Sequence, residues 1–275
     1  MRKHLTLIIL ILVFLTGLSL LLYPTVSDWW NSFRQSKTVA AYSEEVADLD
    51  EETYQKLWAE AAAYNERLGA SVQYFTLTEE EKKAYEGLLN VGGNGVMGYV
   101  EIPSIQCTLP IYHGTDDSIL QVAVGHLEWS SLPVGGASSH CVLSGHRGLP
   151  SAKLFSNLDK LAEGDIFMLR TLDETLTYEV DQILIVEPED TDALEIEEGK
   201  DLCTLVTCTP YGVNSHRLLV RGHRIENIEE SGAIRVTADA LQVDPILAAS
   251  IAAIPMLLLL LAWVLLHNRR MKNKR

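Results

Sequence analysis

The chain has 275 residues, 47 % hydrophobic and 21 % charged, with 18 Gly and 9 Pro. That composition supplies a core and excludes a disordered or collagen-like chain. A formal net charge of −15 excludes a general binder of nucleic-acid backbones, so no nucleic-acid partner is expected.

The charge is uneven. Residues 1–23 hold Arg2 and Lys3 and no acid, and residues 245–275 hold Arg269, Arg270, Lys272, Lys274 and Arg275, again with no acid. All 37 acidic residues therefore fall in 24–244, where 15 basic residues leave a net of −22. Residues 5–22 are an uncharged run of 18, close to the about 20 apolar residues that a membrane-crossing helix needs. The run is longer than the apolar core of a signal peptide and ends in Leu-Leu-Tyr-Pro, which predicts an uncleaved anchor. Residues 246–266 are a second uncharged run, 21 residues long, in which Ser250 and Pro255 are tolerable for a membrane helix. With both basic flanks in the cytoplasm, 24–244 lies outside.

Residues 29–69 read as helical. Tyr54, Leu57, Trp58, Ala61 and Tyr64 recur at three- and four-residue steps, one helix face, and Gly69 suits its end. Thr78-Glu79-Glu80-Glu81 is a capping box that opens a helix to about Leu89. Residues 70–77 connect the two, and the helices either form a stalk or pack on the domain C-terminal to them.

From Val91 the texture changes. Gly92, Gly93, Gly95 and Gly98 break helix, and eight strand candidates succeed them at 96–102, 108–112, 121–125, 140–144, 165–170, 176–186, 202–208 and 216–221. In the sixth, Leu176, Tyr178 and Val180 alternate with Thr177, Glu179 and Asp181. Eight short strands with few long helices predict a mainly β fold, a closed or nearly closed barrel.

Four cysteines stand at 107, 141, 203 and 208. Cys203 and Cys208 are five apart on one expected strand, so they point to opposite faces and do not pair. Zinc binding by Cys203, Cys208, His216 and His223 lacks the usual ligand spacing. Cys208 closes an apolar strand and opens the turn Thr209-Pro210-Tyr211-Gly212, a place where a scaffold holds a side chain yet leaves it reachable. A nucleophilic cysteine needs a cation and a proton-transfer partner. His146, between Gly145 and Gly148, competes for that role with His126, His216 and His223. Arg217 faces Cys208 in a hairpin centred on residues 212–213, and Arg221 shares its face.

Thr204-Leu205-Val206-Thr207-Cys208 resembles the TLxTC signature of sortases, the membrane-anchored cysteine transpeptidases of Gram-positive bacteria. Further blocks, MGYVEIPSI, LPIYHGT, VGHLEWSSLPVGG, VLSGHRGLPSAKLFSNLDKL and TLVTCTPYGVNSHRLLVRGHR, resemble the class C, pilus-assembling group over residues 97–224. The resemblance implies an eight-stranded sortase barrel at 91–228, preceded by a membrane anchor (1–23) and a helical segment (24–90). It would be followed by a linker (229–245), a second span (246–266) and a basic tail (267–275). It implies Cys208 as nucleophile, His146 as acid/base and Arg217 as transition-state stabiliser, with no cofactor and no metal-ligand residues, while a metal requirement stays open. The implied substrates are pilin subunits, one bearing a Leu-Pro-x-Thr-Gly-like sorting signal and the next an acceptor lysine, met at the membrane. A peptidoglycan amine as acceptor, and a non-catalytic peptide-binding module, are the alternatives. One departure stands out: the Asp-Pro-aromatic lid triplet usual in the group is missing near Tyr74 and Phe75, which predicts a more open site.

Overall fold

The computed structural model describes residues 2–69 and 77–227. Tyr74, Phe75 and the second apolar run at 246–266 lie outside the described residues. Contacts divide the described residues into two units, 2–29 and 30–227.

Helix α1 spans Arg2–Ala47 and continues through Pro24. Proline removes one intrahelical hydrogen bond, a loss that membrane helices tolerate. Among the described residues α1 is the one helix long and apolar enough to cross a membrane. Leu12, Val13, Leu15 and Leu20 of its apolar stretch are all exposed.

In the second unit the helices pack on the barrel rather than forming a stalk. Tyr42 of α1 is 1 % exposed; its hydroxyl donates to Met97 O (3.1 Å) and accepts from Leu172 N (2.7 Å). Helix α2, Glu51–Gly69, buries Ala61, Tyr64 and Asn65. Asn65 donates to Leu132 O and Gly135 O and accepts from Leu132 N, so this buried amide is fully employed. Helix α3, Glu79–Glu86, opens with the expected capping box on Thr78 and Glu81. Its Tyr85 is fully buried, lies 2.8 Å from His126 Nδ1 and accepts from Gly114 N.

Eight strands close a barrel in the order β1-β2-β3-β4-β7-β8-β6-β5. They are β1 Val96–Ile102, β2 Cys107–His113, β3 Val124–His126, β4 Ser139–Ser144, β5 Ile166–Thr171, β6 Glu174–Val186, β7 Asp201–Thr209 and β8 His216–Ile225. Two neighbouring pairs are parallel, β2 with β3 and β4 with β7; the rest are antiparallel. Closure removes the exposed edges that an open sheet would carry.

Two strands depart from expectation. β3 begins at Val124 rather than at 121, because a short helix, α4 (Asp117–Leu120), precedes it and Ile119 O still accepts from Val122 N and Ala123 N. β8 runs on past Arg221 to Ile225. Gly222 does not end it; the glycine is needed because a Cβ there would lie 2.7 Å from the buried Phe167 ring.

Two apolar clusters sort the faces. Cys141, Leu143, Cys203, Leu205, Leu218 and Val220 belong to the main core inside the barrel. Val142, Val206 and Leu219 form a second cluster outside, with Leu194 from the 3₁₀ turn Asp192–Leu194 and with the half-buried Leu127, Trp129, Leu184 and Val186. The period of two along each strand therefore has a covered face on both sides of β4 and β7.

Candidate active site

The site grows from the ends of β4, β7 and β8. In the β7–β8 hairpin Cys208 sits opposite Arg217, and Val206 opposite Leu219. Cys208 and Arg217 thus share the outer face with that apolar cluster, and both are half-buried. In the parallel pair the last rung sets Ser144 against Val206. Two further bonds carry the register on: Gly145 N donates to Val206 O (3.0 Å) and Thr207 Oγ1 donates to Gly145 O (2.7 Å). Continued by one more residue, this register sets His146 in line with Cys208. Among the described residues no hydrogen bond joins the three side chains to one another.

The two glycines around His146 have separate reasons. A Cβ on Gly145 would lie 2.6 Å from the ring of Phe155, which is fully buried. Gly148 has φ +77°, a left-handed conformation that favours glycine, and its face meets the Tyr211 ring. His146 O accepts from Phe155 N, and Gly148 N donates to Ser156 Oγ. The loop that carries the histidine is thereby tied down from below.

Arg217 differs from the basic residues around it. Arg221 is bidentate on Asp181 (3.0 Å for each bond) and also reaches Glu197 (2.8 Å). Arg147 is paired with Asp159, and His216 lies 3.2 Å from Glu187. Among the described residues Arg217 has no carboxylate partner; its Nη1 donates to His216 O at 3.2 Å. Its positive charge is therefore available to an oxygen that becomes negative beside Cys208.

The other candidates are placed elsewhere. His126 is fully buried between Tyr85, Ser130 and Ser131 O. His140 is fully buried, and burial lowers its pKa. Its Nδ1 lies 2.8 Å from Glu195 O, and its Nε2 lies 2.7 Å from Thr204 Oγ1. Cys203 lies inside the barrel, opposite Cys141 in the β4–β7 register, and burial pushes its thiol well above the usual range. Burial likewise raises the Cys107 thiol to about 12. All four cysteines are free. Because Cys203 points inward and Cys208 outward, a zinc set of Cys203, Cys208, His216 and His223 does not converge.

The closed eight-stranded barrel thus holds a reachable thiol opposite a guanidinium, with an imidazole in the loop just past the end of the neighbouring strand. The sortase domain model matches residues 100–225. Sortase C1 from Streptococcus agalactiae is 50 % identical with a TM-score of 0.69, covering 70 % of this chain and 100 % of that one. Sortase C of Streptococcus pneumoniae, described in relation to catalysis and pilin substrate specificity, is 44 % identical with a TM-score of 0.62, covering 70 % and 97 %. Sortase D of Bacillus subtilis is 34 % identical over 131 residues, 46 % of this chain and 63 % of that protein, so the chain spans somewhat under two thirds of that relative. The chain belongs to the sortase family, and both solved structures above are C-type sortases.

Proposed function

We propose that the chain is a membrane-anchored transpeptidase of class C. It would cleave a Leu-Pro-x-Thr-Gly-like sorting signal between Thr and Gly and join the acyl group to a pilin lysine. The observation that carries this reading is the convergence of Cys208, Arg217 and the His146 loop at one end of three adjacent strands.

Each step uses the groups present. The Cys208 thiolate attacks the Thr–Gly carbonyl carbon, and the carbonyl oxygen gains negative charge. Arg217, permanently protonated and without a carboxylate partner, donates to that oxygen or fixes the substrate backbone. His146 as imidazolium gives its proton to the departing glycine amine as the C–N bond breaks. A thioester remains on Cys208. A lysine amine then attacks it, His146 takes the amine's proton, an isopeptide bond forms and the thiolate is released. The N-terminal helix α1, with the second apolar run at 246–266, would hold enzyme and membrane-bound pilins together and raise their effective concentration.

The test is incubation of the full chain in detergent with a sorting-signal peptide and hydroxylamine, and coexpression with a candidate pilin. A Cys208-dependent hydroxamate together with a high-mass pilin ladder supports the reading. Hydroxamate without a ladder, and with transfer to a peptidoglycan amine, points to wall anchoring. Peptide binding without turnover leaves a binding module.

A further inference from the structure

Beyond Gly145 and Val206 the backbone ladder between β4 and β7 has ended, yet the two residues proposed to react lie further on. Among the described residues no main-chain bond runs from the His146 loop to residues 208–209. Arg147 is next to His146 in the chain, and Thr209 is next to Cys208. The Arg147 Nη1 donates to Thr209 Oγ1 at 3.3 Å, one rung past the pair it would brace. Its Nη2 pairs with Asp159. Its guanidinium carbon lies 5.9 Å from the centre of the Tyr211 ring, on the β7–β8 loop. The side chain is only 9 % exposed, and Thr209 is 7 % exposed. A charged side chain held this deeply is not a solvated surface arginine, and a planar fork suits it to two attachments at once.

We propose that Arg147 is a positioning residue, a side-chain strut that replaces the missing ladder and keeps His146 at working distance from Cys208. Thr209 follows Cys208 on β7 and so takes the opposite, inward face, and Arg147 reaches it from the bend after β4, where its side chain is nearly buried. The strut therefore acts from beneath, without touching the reacting atoms. Asp159 fixes its far end, and Tyr211 ties the hairpin loop to the same guanidinium. A small displacement of a proton carrier lowers rate far more than binding. The inference rests on the transpeptidase reading for its kinetic part and on the Cys208–His146 neighbourhood for the rest.

The test uses the full chain in detergent. Two quantities are measured for wild type, Arg147→Met, Arg147→Lys, Thr209→Val and His146→Ala. The first is the rate of Cys208 modification by iodoacetamide from about pH 5 to about pH 10, read by peptide mass spectrometry. The second is acylation by a sorting-signal peptide. Arg147→Met and Thr209→Val are expected to lower kcat about tenfold, with KM within about twofold. They are also expected to move the pH midpoint of modification toward that of His146→Ala. Arg147→Lys, which keeps the charge but loses the fork, falls between. Unchanged midpoint and kcat in Arg147→Met and Thr209→Val overturn the proposal, as does a loss of melting temperature alone with intact kinetics. A His146→Ala profile identical to wild type overturns it as well, because no coupling would exist for a strut to maintain. If Arg147→Met does not fold, Thr209→Val decides, since it removes one acceptor and conserves volume. Absence of peptide acylation in wild type would sink the transpeptidase reading, while the modification profile would still judge the strut.

Discussion

Cys203 and Cys208 stand five residues apart on β7, the first beside Cys141 in the parallel register with β4 and the second two residues past the last rung of that register. Strand and residue type are the same; parity and distance from the strand end differ. Cys203 points into the barrel, fully buried, and its thiol is held protonated. Cys208 points outward at the strand's end, half-buried, opposite a guanidinium that lacks a carboxylate among the described residues. The contrast teaches that a sheet sets a cysteine's chemistry by which face it takes and how close it stands to the mouth.

The sharpest way to break this contrast is to exchange the two cysteines' fates. Cys208→Ala should lower peptide transfer by about a thousandfold or more, whereas Cys203→Ala should keep transfer and cost about 1 kcal/mol of stability through a small cavity. Equal loss of transfer in both would erase the distinction. Next in size, Arg217→Lys keeps the charge and loses the planar fork; acylation kcat should fall about a hundredfold with an unchanged melting temperature.

Gly145→Ala probes the scaffold beneath the site. Its Cβ would meet the buried Phe155 ring at 2.6 Å, so a loss of about 1–3 kcal/mol in denaturant unfolding is expected. Iodoacetamide near neutral pH sharpens the comparison further: Cys208 should be modified while Cys107, with its thiol raised to about 12, and the two barrel cysteines stay intact.

The smallest effect concerns His140, behind Cys203's strand. Burial holds its folded pKa below the unfolded value, about 6.5. Its stabilising contribution is therefore complete above that value and is lost as pH falls toward the folded pKa. The melting temperature should decline between about pH 7.5 and about 5.5, and His140→Gln should flatten part of that decline. A slope unchanged by the substitution would remove His140 from the account.

Much of this fold is written locally. Alternation predicts the strands to within a residue or two wherever one face is apolar, and the Thr78–Glu81 box forms as its spacing dictates. Parity alone pairs Cys208 with Arg217 across the hairpin. The start of β3 was not legible, because nothing in residues 121–123 distinguishes a strand from the turn that leaves α4. The choice among histidines was not legible from pattern either. What separates His126 from His146 is Tyr85, 41 residues away, and no local rule sees across that distance; family resemblance alone singled out His146. The Arg147–Thr209 hydrogen bond was not legible for the same reason, since the two residues are 62 apart.

That sequence distance has a consequence for how the protein matures. The thiol and the guanidinium belong to one hairpin with eight residues between them, a closure that costs little chain entropy. The imidazole joins only when two strands far apart in the chain align side by side, a much longer loop to close. On the proposed mechanism, a chain with its last hairpin made and its barrel still open would hold the nucleophile without its proton carrier. Chemical competence would then arrive together with the completed wall of the barrel, so an unfinished molecule is ill equipped to attack the peptides around it.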